Sequence, residues 1–146
     1  MKINSNFSGI SLEGGLYDIF NKTLLLEQAG KKIIHMEIGK PDFDSPPAAK
    51  EAAKKALDEG FVHYTSMIGI PELRYAIAEK ERLANGTVFD PDKEIIITAG
   101  ACEAITCALI VLFERGDEII VPSPYFPVYY ESAAMLGLKI DREIRT

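Results

Sequence analysis

The strongest secondary-structure signal in the chain lies in residues 94–121, which read EIIITAGACEAITCALIVLFERGDEIIV. Two short apolar runs, at 95–98 and 119–121, flank a nearly uninterrupted apolar stretch at 101–113. A glycine precedes that stretch and a polar turn follows it, so the pattern predicts strand, buried helix, turn and strand. Strands that are apolar on both faces and joined by a helix belong to sheets covered on both sides. The segment therefore predicts an α/β architecture.

Prolines and glycines mark further elements on either side of this segment. Ser45 is predicted to cap a helix whose first turn accepts Pro46 and Pro47, because their missing N–H groups would have no partner there. Pro71 opens another helix, and glycines stop the helical patterns. These signals predict helices at 16 to about 30, 45–59, 72–84 and 128–136, and further strands at 33–38 and about 138–143.

Composition and charge narrow the functional classes. The 146 residues are 47% hydrophobic and 26% charged, which is typical of one soluble globular domain. The formal net charge is −6 and no basic cluster occurs, so we expect no nucleic-acid partner. The longest apolar stretch, at 105–113, is too short to span a membrane, and the first residues are too polar for a secretory signal. We expect a cytoplasmic protein without a membrane partner.

The cysteines and histidines form no recognisable metal or redox motif. Cys102 and Cys107 are five residues apart in one apolar run, and we expect both to be reduced residues of the core. His35 and His63 have no second ligand at a suitable spacing in the sequence. No metal site is therefore expected.

The junction at residues 98–103 (TAGACE) is the first candidate site, because it joins a predicted strand to a predicted helix. The free N–H groups of a first helical turn and the positive end of the helix dipole together bind anions, so a phosphate fits there. The small residues 99–101 would let a ligand approach the backbone. The alternative is that these small residues only pack a buried helix against a sheet.

Three further loops concentrate glycine, proline and aromatic residues at the ends of predicted elements. Residues 122–127 follow the second strand, and ligands gather at the carboxyl edge of such sheets. Phe126, held between prolines, could stack on a ring or could simply cover the strand ends. Tyr64, in the loop at 63–70, could reach a ligand or support a turn. The remaining loop, at 39–43, begins with Gly39.

Taken together, several short motifs resemble the class I aminotransferases, which are pyridoxal phosphate (PLP) enzymes of fold type I. The resemblance covers roughly residues 30–146 and depends on the order and spacing of the motifs. They are IGKPDF at 38–43, Tyr64-Thr65 with Gly69 and Leu73-Arg74, TAGA at 98–101, GDE at 116–118 and PSPY at 122–125.

The resemblance implies a fold and a domain division. The fold would be the N-terminal part of a fold type I PLP transferase large domain, a sandwich of helices around an incomplete, mostly parallel sheet. Residues 1–45 would form an N-terminal arm and small-domain segment. Residues 46–146 would form the first, truncated part of the PLP-binding large domain.

The resemblance also implies roles for individual residues. Gly100, Ala101 and Cys102 would bind the cofactor phosphate, with Cys102 standing where many relatives have a hydroxyl residue. Phe126 would stack on the pyridine ring. Tyr64 would reach the phosphate held by the neighbouring subunit of a homodimer.

The implied reaction moves an amino group from an amino acid to the cofactor and on to a 2-oxo acid. Gly39 would lie in the loop that closes over the substrate carboxylate. In relatives, the Schiff-base lysine and the acidic partner of the pyridine nitrogen lie beyond the point where this sequence ends, and no lysine present matches the catalytic motif.

We therefore expect an N-terminal fragment that is inactive alone and contributes no catalytic residue. Two alternatives stay open at the sequence level. One is a non-catalytic module that dimerises or binds a partner chain. The other is a PLP-dependent carbon–sulfur lyase or decarboxylase of the same fold.

Overall fold

A computed structural model describes residues 15–141 of the chain. The described residues divide into two compact units, which we call the inserted unit and the flanking unit. The inserted unit is Pro41–Gly100, and the flanking unit combines residues 15–40 with residues 101–141. The elements in chain order are α1 (Leu16–Gln28), α2 (Pro47–Asp58), α3 (Pro71–Asn85), α4 (Ala101–Leu112), β1 (Glu118–Ile120), α5 (Pro127–Leu136) and β2 (Lys139–Asp141).

The flanking unit contains the sheet of the described chain. Strands β1 and β2 pair in parallel, with Ile119 opposite Ile140, and α5 makes the crossover between them. Parallel strands need such a crossover because a tight turn can join only antiparallel neighbours. Among its described residues, the buried apolar side chains of this unit are Val121, which directly follows β1, Ala133, which lies within α5, and Leu138, which directly precedes β2. This arrangement confirms the predicted α/β architecture.

The inserted unit consists of α2, α3 and the loops around them, and a buried arginine anchors it. The Arg74 side chain is only 5% exposed. Its Nη1 donates hydrogen bonds to the carbonyl oxygen of Pro91 and to Asp92 Oδ1, the latter at 3.1 Å. The Tyr75 hydroxyl donates to the other Asp92 oxygen at 2.8 Å, and this bond raises the pKa of Tyr75. Asp92 therefore fixes the start of α3 against the turn at 90–92.

Two predicted strands do not form. Residues 33–38 carry exposed Ile34 and Met36 side chains, and no strand is assigned there. At 95–98, the Ile97 N–H donates to the Ile68 carbonyl at 3.1 Å rather than to a neighbouring strand. A strand exists only where a second strand supplies hydrogen-bond partners, and within residues 15–141 the only pair is β1 with β2.

The predicted Ser45 cap is also wrong. Pro46 occupies the cap position of α2 and no side chain caps the helix, while the Ser45 N–H donates to Asp44 Oδ1 at 3.0 Å. A capping serine bonds to N–H groups two or three residues ahead, and Pro47 has none to offer. The Pro46 carbonyl instead accepts from Ala49 and Lys50, which starts the helix one residue later.

We predict that Gly69→Ala destabilises the inserted unit more than the same change at Gly60. Both glycines have positive φ, +93° and +81°, so alanine strains the backbone at each by about 1–2 kcal/mol. At Gly69 the added Cβ would also lie 2.3 Å from Ile97 Cγ1, whereas nothing lies within 4 Å of a Cβ at Gly60. Overpacking adds about 1–3 kcal/mol at Gly69 alone. Urea unfolding of both variants measures the difference, and equal losses would contradict the close approach.

Candidate functional site

The first turn of α4 follows a tight turn at residues 98–100. The Gly100 N–H donates to the Thr98 carbonyl at 2.8 Å, and Thr98 Oγ1 donates to the Gly100 carbonyl at 3.0 Å. Gly100 has φ +86°, a conformation in which side chains are strained, and α4 begins at the next residue. The chain therefore enters the helix abruptly, and this requires a glycine at position 100.

The space around this first turn is open. Nothing lies within 4 Å of a Cβ placed on Gly100, and Ala101 and Cys102 are both exposed. The first N–H groups of a helix have no intrahelical acceptor and point along the axis, where the dipole is positive. The first turn of α4 thus presents donors and a positive end to an anion approaching from outside the flanking unit.

The two cysteines are not core residues, contrary to the sequence prediction. Both are free thiols and both are exposed. The better shielded positions of α4 are Ile105, Thr106 and Leu109, which recur at helical spacing. Cys107 lies off that line and Cys102 lies in the open first turn. Apolar composition on every side of α4 predicted burial, but only one side of the helix is covered.

Helix α5 packs against α4, and two hydrogen bonds define their relative direction. Thr106 and Ser132, each near the middle of its helix, join their hydroxyl oxygens at 2.8 Å. Gly116, which follows α4, donates its N–H to the carbonyl of Gly137, which follows α5, at 3.0 Å. Because the helix middles meet and the residues after both carboxyl ends also meet, α4 and α5 run parallel.

Parallel helices place Phe126 at the same end of the flanking unit as Ala101. Phe126 is the cap residue of α5, with Pro127 at the first helical position, and its side chain is 48% exposed. The peptide before Pro124 is cis. A half-exposed aromatic ring therefore lies at the same end of the helix pair as the open first turn of α4. Ring stacking by Phe126 stays a prediction.

Tyr64 belongs to the inserted unit and its side chain is fully exposed. It borders a cleft of about 420 Å³ whose lining includes His63, Thr65 and Ser66. A tyrosine with this exposure is available to a ligand or a second molecule, and its predicted role is not tested within one chain.

Gly39 lies in the flanking unit, is exposed, and has open space where a Cβ would be. Among the described residues, no hydrogen bond joins it to the first turn of α4 or to Phe126. The structure therefore places Ala101, Cys102 and Phe126 at one end of the flanking unit, and the predicted role of Gly39 beside them stays a prediction.

Sequence reasoning missed two polar groups. Ser132, 4% exposed, and Thr106 form the link between α4 and α5, and the available signal was a serine within an otherwise apolar helix face. His35 lies between the carboxylates of Glu27 and Glu37, at 3.0 and 2.6 Å. Glu37 is only two residues from His35 in sequence, and this spacing could have indicated the contact between His35 and Glu37. Within residues 15–141, no group of three metal-ligating side chains suited to an ion occurs.

No helix among the described residues combines the length and apolar character needed to cross a membrane.

Comparison with known proteins identifies the family. Residues 31–144 match the family described as aminotransferase class I and II. The chain belongs to this family. It is 48% identical over 117 residues to aspartate aminotransferase from Pyrococcus horikoshii. The aligned residues cover 79% of this chain and 30% of that protein. It is 43% identical over 114 residues to aromatic-amino-acid aminotransferase 2 from Thermococcus litoralis, covering 78% of this chain and 29% of the relative.

Solved structures agree with the family assignment. Alanine aminotransferase from Pyrococcus furiosus superposes with a TM-score of 0.87 at 34% identity, over 97% of this chain and 36% of that one. Aspartate aminotransferase from Thermus thermophilus, solved with maleate, superposes with a TM-score of 0.89 at 33% identity. That match covers 97% of this chain and 37% of the Thermus chain. These matches confirm the resemblance and the fold class predicted from the sequence. The chain spans about 30% of the length of the curated relatives it matches.

We predict that the link between α4 and α5 responds asymmetrically to mutation. Thr106 Oγ1 donates its single proton to the Cys102 carbonyl at 2.9 Å, so Ser132 must be the donor in the Thr106–Ser132 bond. Thr106→Val leaves the buried Ser132 hydroxyl without its acceptor, at a cost of about 1–3 kcal/mol. Ser132→Ala removes the donor itself and costs less, about 0.5–1.5 kcal/mol.

Chemical unfolding of the two single variants and the double variant measures the coupling. The double variant should lose less stability than the two single variants lose together, since either change alone breaks the same Thr106–Ser132 hydrogen bond. Thr65→Val is the control because the Thr65 hydroxyl bonds only locally at an exposed site, to the Ser66 carbonyl. Additive losses, or a larger loss for Ser132→Ala, would contradict this hydrogen-bond direction.

Proposed function

We propose that this chain forms part of a PLP-dependent aminotransferase that moves an amino group from an amino acid to a 2-oxo acid, and that it supplies the binding site for the cofactor phosphate. The observation that carries the proposal is the open first turn of α4 with a half-exposed aromatic ring at the same end of the unit. Family membership supports the reaction class, because the relatives reported above carry the name aminotransferase.

The residues at this end fit a phosphorylated cofactor. A phosphate needs several N–H donors and room close to the backbone; the residues Ala99 to Cys102 are small and exposed, and nothing lies within 4 Å of a Cβ placed on Gly100. In the proposal, the Ala101 and Cys102 N–H groups bind the phosphate, Gly100 allows its approach, and the Cys102 thiol adds a weak donor. Phe126 covers one face of the ring and excludes water from it.

When bound, PLP withdraws electrons from the α-carbon of an amino acid, which is the chemistry that amino-group transfer requires. The contribution of this chain is to hold and orient that group. Gly39, in the family motif at 38–43, is proposed to lie in the loop that closes on the substrate carboxylate. The relatives are named for aspartate, aromatic and alanine substrates, so the proposal specifies the reaction class rather than one amino acid.

We also propose that the working enzyme is a homodimer in which Tyr64 reaches the phosphate held by the neighbouring subunit. The support is the full exposure of Tyr64 beside a cleft in the inserted unit. We propose the same domain division as the resemblance implies, with an N-terminal arm and small-domain segment at 1–45 and a PLP-binding part at 46–146; residues 1–14 and 142–146 of this division lie outside the described residues. Free thiols at Cys102 and Cys107 suit a reducing compartment, so the proposal includes a cytoplasmic location.

We predict that the chain binds pyridoxine 5′-phosphate through its phosphate. This probe has no aldehyde and cannot react with surface lysines, so its binding reports the phosphate and ring contacts alone. Ala101→Asp should weaken binding about tenfold or more, equivalent to about 1.4 kcal/mol, because the carboxylate repels the phosphate while a first-turn acid still favours the helix. Ala101→Ser, which stays neutral and small, should bind like the unchanged chain.

Isothermal titration calorimetry measures these affinities. Pyridoxine without the phosphate should bind much more weakly. Phe126→Ala should lose about 0.5–1.5 kcal/mol of stacking energy, whereas Phe126→Tyr should retain it. Absence of saturable binding by the unchanged chain, or equal binding by Ala101→Asp and Ala101→Ser, would contradict the proposed site.

The 146-residue polypeptide on its own is proposed to be inactive, because none of its lysines matches the catalytic motif of the family. Incubation with PLP, aspartate and 2-oxoglutarate should therefore give no glutamate above a protein-free control. Sustained turnover that depends on the polypeptide would show that one of its own lysines serves the reaction.

A further inference from the structure

His35 joins helix α1 to the segment that follows it in the flanking unit. Its Nε2 lies 3.0 Å from Glu27 Oε1, in the last turn of α1, and its Nδ1 lies 2.6 Å from Glu37 Oε1. The imidazole ring also packs against Phe20 of α1, with the ring centroids 6.3 Å apart and the planes tilted by 59°. One side chain thus connects two carboxylates that lie ten residues apart in sequence.

The geometry requires a particular protonation state. Carboxylates only accept hydrogen bonds, and each ring nitrogen of His35 lies at hydrogen-bond distance from one of them. A neutral imidazole carries one N–H, so its other nitrogen would direct a lone pair at a carboxylate oxygen. Only the doubly protonated imidazolium donates to both Glu27 and Glu37.

The surroundings of Glu37 favour that charged state. The Glu37 side chain is only 8% exposed, and a shielded carboxylate requires an opposite charge or donors. Besides His35, the Thr23 hydroxyl lies 3.3 Å from Glu37 Oε1, while bonding to the Phe20 carbonyl at 2.7 Å. Among residues 15–141, the charged groups that face the ring are Glu27 on α1 and Glu37 on its own segment.

We propose that His35, Glu27 and Glu37 form a pH-dependent clasp that holds residues 31–38 against α1 while the imidazole is doubly protonated and releases them when it loses a proton. The segment leads directly into Gly39. The clasp therefore acts on the chain that enters the family motif at 38–43; an effect of the clasp on substrate binding rests on the proposed function, whereas the clasp itself does not.

The direction of the pH dependence follows from the two ionisations. The hydrogen bonds to Glu37 and then to Glu27 raise the pKa of His35 above 6.5, against a smaller effect of desolvation. The stability that His35 contributes to the folded chain is therefore complete below pH 6.5 and is lost as pH rises through the raised pKa of His35. The hydrogen bond from His35 lowers the pKa of Glu37 below 4.5. The stability that Glu37 contributes is therefore present above pH 4.5 and is lost as pH falls through the lowered pKa. The clasp is fully formed between these limits.

Nuclear magnetic resonance of the full 146-residue chain, without cofactor, tests the clasp. A His63→Asn background leaves His35 as the single imidazole, whose two ring nitrogens report protonation directly. We expect His35 to titrate above the ordinary histidine pKa, with a nuclear Overhauser effect between the Phe20 and His35 rings that disappears as the imidazole deprotonates. Glu37→Gln and Glu27→Gln should each lower the pKa of His35, with the larger decrease for Glu37→Gln.

Asp18→Asn is the matched control, because it removes a carboxylate of α1 that pairs with Lys22 rather than with the ring. It should leave the His35 titration near that of the unchanged chain. The clasp is overturned if His35 titrates at or below the ordinary value, or if the ring contact persists after deprotonation. A failure to bind pyridoxine 5′-phosphate would leave these measurements unaffected, so the two proposals fail independently.

Discussion

The parallel packing of α4 against α5 is the constraint on which the candidate site depends. Because β1 and β2 are parallel, the helix α5 that connects them must run antiparallel to both strands. Helix α4 precedes β1 in the chain and runs in the same direction as α5. The Thr106–Ser132 and Gly116–Gly137 hydrogen bonds then hold the two helices side by side. If either helix ran the other way, Phe126 and the first turn of α4 would lie at opposite ends, and the proposed site would not form.

The two units differ in whether a charged side chain joins their buried apolar residues. The flanking unit buries apolar side chains such as Ala133 and Leu138, whereas the inserted unit buries Arg74 as well as Ile95, and Arg74 donates to Asp92. A buried arginine that lost Asp92 would leave an uncompensated charge, which costs more than the pair contributes. Arg74 of the motif Leu73-Arg74 therefore has a structural explanation within this chain, separate from any role near substrate.

Much of the helical structure could be predicted because its signals are local. Pro71, Pro127 and Gly137 act through their own backbone, so the bounds of α3 and α5 followed within one or two residues. The runs at 33–38 and 95–98 failed as strands because pairing depends on distant segments that periodicity does not reveal. The burial of Cys102 and Cys107 failed for a similar reason, since composition does not say which side of a helix is covered.

The candidate site was predictable in part. A small-residue junction before an apolar helix indicated the open first turn at Ala101, and a proline-flanked ring indicated Phe126. The sequence could not show that both lie at one end, because that depends on the direction of α5 relative to α4. It also did not reveal the polar contacts that support the arrangement, since Ser132 meets Thr106 across 26 positions.

Two parallel helices with their amino ends together have an electrostatic consequence. Like poles of neighbouring dipoles repel, so the packing of α4 on α5 carries a penalty concentrated at the end near Ala101 and Phe126. An anion held there would relieve that repulsion, although the whole chain carries a net charge of −6. Binding of such an anion would be thermodynamically linked to helix packing, so that each would raise the population of the other.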